Sequence, residues 1–117
     1  MKVTDSEARA ADNPLFEGGA VHIRGMVDAK TSPAVTVNLV RFSDGARTKP
    51  HTHTADQILY ITEGHGVVGT RSDSYNVTTG DIVHIPAGEV HFHGAAPAKD
   101  MAHLSILPPS QMEIVAG

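Results

Sequence analysis

Residues 49–61 read Lys49-Pro50-His51-Thr52-His53-Thr54-Ala55-Asp56-Gln57-Ile58-Leu59-Tyr60-Ile61. Proline donates no backbone hydrogen bond and is poor in a central strand, so Pro50 marks a strand end or edge. Beyond it the two imidazoles stand at i and i+2, and the period of two in an extended chain puts both on one face. After the Thr54-Ala55-Asp56 corner, Gln57 opens the apolar run Ile58-Leu59-Tyr60-Ile61, which reads as the start of a strand.

Working outward in both directions, short runs rich in Val, Ile and Thr recur between Gly, Pro, Asp and Asn. They predict strands near 20–27, 34–42, 57–62, 66–70, 74–78, 82–85, 90–94 and 101–107. No window holds apolar residues at i, i+3, i+4 and i+7 for three turns, which argues against a large helix. Turn chemistry is well marked at Ser43-Asp44-Gly45, Thr79-Gly80-Asp81 and Glu63-Gly64-His65-Gly66. Short strands in this number need closure or a second sheet to hide their edges, so the expected fold is all-β, a compact jelly roll or small barrel wide enough for one small ligand. Residues 1–13 are polar and lack the strand period, and are expected to form a flexible N-terminal arm. Residues 14–117 are expected to form a single barrel domain.

The chain has 117 residues, enough for one hydrophobic core. Its formal net charge of −4 gives no electrostatic case for nucleic acid or an anionic membrane surface. Nothing approaches a membrane-spanning apolar stretch, and Met1-Lys2-Val3-Thr4-Asp5-Ser6-Glu7 carries no apolar signal core, so a cytoplasmic location is expected. With no cysteine there is neither disulfide nor thiolate, and any metal would be held by nitrogen and oxygen. The excess lies in histidine, eight residues against three Phe, two Tyr and no Trp.

Four of the eight form two pairs. Pro86-Ala87-Gly88-Glu89-Val90-His91-Phe92-His93 repeats the i, i+2 arrangement of His51 and His53. Imidazoles on inward faces of one small barrel are costly to bury unless their nitrogens find partners, and a metal ion satisfies several at once.

Gly45, His51-Thr52-His53, Gln57 and Gly64 resemble the first cupin motif, with glutamine where glutamate is usual. Gly80, Pro86-Ala87-Gly88 and His91 resemble the second, with Ala95 where an asparagine is common. The resemblance covers roughly residues 34–107 and implies a cupin double-stranded β-helix of six to eight strands. By the same resemblance His51, His53, Gln57 and His91 are the metal ligands, and the protein is a homodimer. The wider context, including Gly88 to Pro97 and Met101-Ala102-His103-Leu104, resembles the small bacterial cupins that include manganese-dependent hydroxynitrile lyases. Phe92 stands where those have an aromatic, and His103 matches a further pocket histidine. Small cupins acting on unsaturated uronic acids also use a His, His, Gln, His set.

The neutral amide of Gln57 is informative in itself. Three imidazoles and an amide leave a divalent ion at its formal +2, a stronger Lewis acid toward oxygen and a poorer site for raising the metal's oxidation state. The expected cofactor is a divalent transition metal, manganese or iron first and nickel or zinc next. The expected substrate is small, organic and oxygen-bearing, and the leading reaction is lyase-like C–C cleavage or formation. His93 and His103 are the candidate acid–base pair, since a cavity imidazole can carry a hydroxyl proton. An iron-dependent dioxygenase and a non-catalytic small-molecule-binding protein are the alternatives. His22, His65 and His84 read as structural or exposed, and Glu63 and Glu89 as solvated. Phe42, Leu59, Tyr60, Ile61, Phe92, Met101 and Leu104 could line a pocket or simply form core.

Overall fold

The structure, a computed structural model, describes residues 1–116. Among the described residues twelve strands follow one another: β1 Arg9–Ala10, β2 Phe16–Glu17, β3 Val21–Val27, β4 Thr36–Phe42, β5 Arg47–Thr48, β6 His51–His53, β7 Gln57–Gly69, β8 Ser74–Thr78, β9 Ile82–Ile85, β10 Phe92–Ala95, β11 Met101–Leu107 and β12 Met112–Ile114. There is no helix among the described residues. Every pairing is antiparallel, in the order β1-β3-β4-β11-β7-β10-β5-β2, with β8 and β9 also on β7 and a separate pair β6–β12. The fold is all-β, a barrel of antiparallel strands, as the strand pattern predicts.

The largest departure from the sequence reading is β7. Two strands, 57–62 and 66–70, were expected around the Gly64 corner; the chain instead runs through as one strand that bends. Its first half pairs with β11 and β9, and its second half with β10 and β8, so it belongs to both walls of the barrel. Gly64 permits the bend because it sits at φ +80°, and a Cβ there would collide with the Asp100 carbonyl. The pairing register with β11 shifts at the same place, between Ala102 and His103.

Alternation then sorts the side chains. Val40 and Phe42 of β4, Leu59 and Ile61 of β7, and Met101 of β11 point inward and are buried, with Val21, Ala46, Val68, Val77, Ile85 and Ala95 completing the core. His103 and Ser105 continue the inward row of β11, and Gln57 that of β7. Three of the residues read as pocket lining or core lie elsewhere. Tyr60 and Leu104 pair on the outer face, and Phe92 lies outside against Gly69, because residues flanking an inward position must face out. Residues 1–13 run beside β3: Arg9 and Ala10 pair with Ile23 and His22, Ser6 Oγ donates to the Gly25 carbonyl, and Thr4 Oγ1 donates to that of Met26.

Candidate metal centre

Strand β6 and the residues that lead into β10 bring the two histidine pairs together. His51 and His91 exchange backbone hydrogen bonds, N–H to O at 2.9 and 3.0 Å, which places them directly opposite each other. Their rings are 4.3 Å apart between centroids, with His53 at 5.1 Å from His51 and 5.6 Å from His91. Gln57, 3% exposed, faces the same interior from the head of β7.

The hydrogen bonds around these residues decide which atoms are free. His51 Nδ1 donates to the carbonyl of Lys49 at 2.8 Å, and His91 Nδ1 donates to that of Glu89 at 2.9 Å, in each case two residues back along the chain. Fixing the proton on Nδ1 turns the Nε2 lone pair toward the interior. Gln57 Nε2 donates to Ser105 Oγ at 2.8 Å, which likewise leaves Oε1 free. His53 Nε2, Gln57 Oε1 and His91 Nε2 are all buried without a hydrogen-bond partner. Each such orphan costs about 1–3 kcal/mol, so a cluster of them on one cavity is a set of donors awaiting an acceptor of lone pairs. A divalent cation fits that chemistry.

His93 also enters the cluster. The donor atoms of His51, His91 and His93 lie within 4.8 Å of one another, close enough for one ion. The His93 Nδ1 and His103 Nε2 atoms share a hydrogen bond of 3.0 Å, and both rings pack against Phe42, at centroid distances of 5.9 and 5.4 Å. Thr48 Oγ1 accepts from the His93 backbone N–H and fixes the strand there. The outer nitrogens, His93 Nε2 and His103 Nδ1, are buried without partners. Two neutral imidazoles joined by one hydrogen bond leave one outer nitrogen with a proton and the other with a lone pair; uptake of a proton at the free outer nitrogen, transfer of the bridging proton and release from the far outer nitrogen exchange the two.

Burial pushes every one of these histidines down from the ordinary imidazole range, His51, His53 and His103 to about 4, His91 down, and His93 well down. The charged form is disfavoured first by desolvation, and for His51, His53 and His93 also by neighbouring imidazoles. All five are therefore neutral at pH 7, the state a metal ligand or a base requires.

The interior cavity has a volume of about 150 Å³ and is lined by His51, His53, Gln57, His93, His103 and Ser105 together with Asn38, Ile23, Val40, Leu15, Phe16 and Leu107. No carboxylate is among them. Asn38 was not singled out from the sequence, although it shares the inward face of β4 with Val40 and Phe42. The remaining histidines lie outside: His22 and His65 are exposed, and His84 Nε2 meets Asp56 Oδ2 at 2.9 Å on the surface. Glu63 pairs with Arg41 at 2.6 Å in solvent, and Glu89 is exposed.

A barrel with imidazoles gathered at its centre defines a class, and a family model for the cupin domain matches residues 38–107. The chain belongs to the cupin family. It is 38% identical to an (R)-mandelonitrile lyase of Granulicella tundricola over 91% of this chain and 82% of that one. It is 30% identical to an acireductone dioxygenase of Gluconobacter oxydans over 90% of this chain and 55% of that protein. Among solved structures, a cupin-like protein of Thermotoga maritima superposes with a TM-score of 0.84 at 29% identity, covering 100% of this chain and 88% of that one. Together with these relatives, the three-histidine cluster implies a site for a divalent metal.

Proposed function

We propose that this cupin is a metal-dependent lyase that cleaves and forms the C–C bond of small cyanohydrins, with His51, His53, Gln57 and His91 as the metal ligands. The observation carrying this reading is a cavity whose wall bears the unpartnered donors of His53 and Gln57 and no carboxylate, with the unpartnered His91 Nε2 on the ring packed against His51. When bound, the ion, manganese or iron first and nickel or zinc next, supplies Lewis acidity toward a substrate oxygen, undiminished by ligand charge. His51 and His91 present Nε2 because backbone carbonyls hold their Nδ1 protons, and Gln57 presents Oε1 because Ser105 holds its amide. The His93–His103 pair takes the hydroxyl proton at whichever outer nitrogen bears the lone pair. As the carbonyl forms, the C–C electron pair leaves with cyanide, and the pair returns the proton to give hydrogen cyanide.

Metal-dependent release of benzaldehyde from mandelonitrile tests the reading, and a His103→Ala variant should lose roughly 100-fold or more in kcat while keeping its metal. Turnover no faster than buffer, with the metal loaded, would reject it. The acireductone dioxygenase relative motivates a second reading, oxygen chemistry on iron at the same residues. Oxygen uptake by the iron-loaded protein with an enediol or diketone substrate would favour it.

Two copies of the chain are proposed to pair through the outer wall. Leu39, Leu104, Tyr60 and Ile82 form one row across β4, β11, β7 and β9, with Tyr60 38% and Ile82 68% exposed. Light scattering should give twice the chain mass, and Ile82→Arg with Leu104→Arg should give the monomer; a monomeric parent protein would refute the pairing.

A further inference from the structure

The interior cavity is not the whole concavity. Beside it lies a cleft of about 270 Å³ between the C-terminal segment and the loop joining β3 to β4, lined by Ala29, Thr36, His53, Leu107, Pro108, Pro109, Ser110 and Met112. His53 and Leu107 line both spaces. We infer that this cleft is the outer half of the substrate site and takes an uncharged apolar group, aryl or alkyl, attached to the oxygen-bearing carbon that reaches the interior. The inference rests on the interior as the reacting end, as proposed above.

Three observations carry it. The first is register. Met112 of β12 pairs directly with His53 of β6, and residues opposite each other in an antiparallel pair project to the same side, so the Met112 side chain stands beside the His53 ring. It is 43% exposed, and its unbranched thioether adapts to the shape of an apolar group.

The second is the division of chemistry. The interior concentrates the imidazoles, the Gln57 and Asn38 amides and the Ser105 hydroxyl. The cleft beyond His53 offers Ala29, Leu107, Pro108, Pro109 and Met112, with no charged side chain. The Thr36 hydroxyl donates its proton to the Leu107 carbonyl at 2.8 Å, so it has none to give a ligand. Ser110, exposed at the rim, brings the one hydroxyl left to donate, so the wall offers a carboxylate or polyhydroxylated tail few partners and offers a phenyl or alkyl group apolar surface to cover.

The third is rigidity. Besides the β6–β12 ladder, Thr54 N–H donates to the Gln111 carbonyl at 3.0 Å, Gln111 N–H to Thr54 Oγ1 at 3.0 Å, and Val115 N–H to the Pro50 carbonyl at 2.9 Å. The wall carrying Met112 is thus fixed to the strand carrying His51 and His53, and the cleft exists before a ligand arrives.

The test uses the full-length zinc-loaded protein, which is diamagnetic, with methyl-labelled methionine. The chain has four methionines, Met1, Met26, Met101 and Met112, and so four methyl reporters. Benzyl alcohol, an unreactive probe with one aryl group and one hydroxyl, should move the Met112 methyl resonance saturably and leave Met1 and Met26 in place. Glucuronate at the same concentrations should move none. In Met112→Glu the benzyl alcohol affinity, read by saturation transfer to the probe, should fall at least 5-fold while elemental analysis finds the metal retained. Saturable binding that leaves the Met112 methyl unmoved, an unchanged affinity in Met112→Glu, equal binding of glucuronate, or no binding of benzyl alcohol would each overturn the inference. The lyase reading fails separately, by the mandelonitrile assay.

Discussion

At the scale of single residues, Gln57 decides the electrostatics of the proposed metal centre. Replacing it by glutamate keeps an oxygen donor but lowers the site's charge by one. The Gln57→Glu variant should hold its metal by elemental analysis and lose about 10-fold in mandelonitrile kcat/KM, since weaker Lewis acidity raises the barrier by about 1.4 kcal/mol. Equal or higher lyase activity would contradict the argument. The histidine pairs and Gln57 were legible because each signal is local: an i, i+2 spacing, a flanking Pro or Gly, a strand starting four residues later. The Ser105 hydroxyl that orients Gln57 comes from 48 residues away. No pattern in either segment announces the partnership, because hydrogen bonds across strands depend on register that only the folded sheet fixes.

At the scale of elements, β7 carries both walls, and its bend depends on Gly64. A Gly64→Val substitution forces a β-branched residue into positive φ and against the Asp100 carbonyl, and should cost about 2–4 kcal/mol in urea unfolding at unchanged pH. A loss below 1 kcal/mol would mean that the bend is not held there. Alternation foretold the long strands β3, β4 and β11 closely. It did not foretell β1, β2, β5 or β12, each two or three residues long, because a period of two has no statistical meaning over so short a run, and β6 was read as extended only through its paired histidines. It also broke β7 at its glycines, for Gly64 and Gly66 read equally well as a turn between strands or as a bend within one. Phe92 shows the same limit from another side: it lies between two inward histidines, so its outward position followed from the spacing that identified them.

For the molecule as a whole, the buried imidazoles make stability depend on pH. His51 and His103 titrate near 6.5 when unfolded and are pushed to about 4 in the native barrel. Between those values the unfolded chain holds protons that the native fold refuses, so stability is complete above about pH 6.5 and is lost as the pH falls toward 4. Each of the two groups contributes up to about 1.4 kcal/mol per pH unit in that window, and the more exposed His53 adds less. The urea midpoint of the chelated protein should therefore fall steadily from pH 7 to pH 5, and a flat profile would show that these groups are solvated. Metal binding adds about 2.7 kcal/mol at a concentration one hundred times Kd, so the loaded protein should resist acid further than the metal-free one.

The sheet order β4-β11-β7 has a temporal consequence. The strand between β4 and β7 is Met101–Leu107, which follows both in sequence, so two walls synthesised earlier wait for a strand synthesised later. During translation the segment up to Thr78 can form the β3–β4 and β7–β8 pairings, yet it cannot close. His51, His53 and Gln57 therefore leave the ribosome on an open sheet, before His91 and His93 exist to complete the cluster. Ordered assembly of the centre is thus governed by strands that follow β8, and ending the chain before Met101 should leave an open, aggregation-prone sheet.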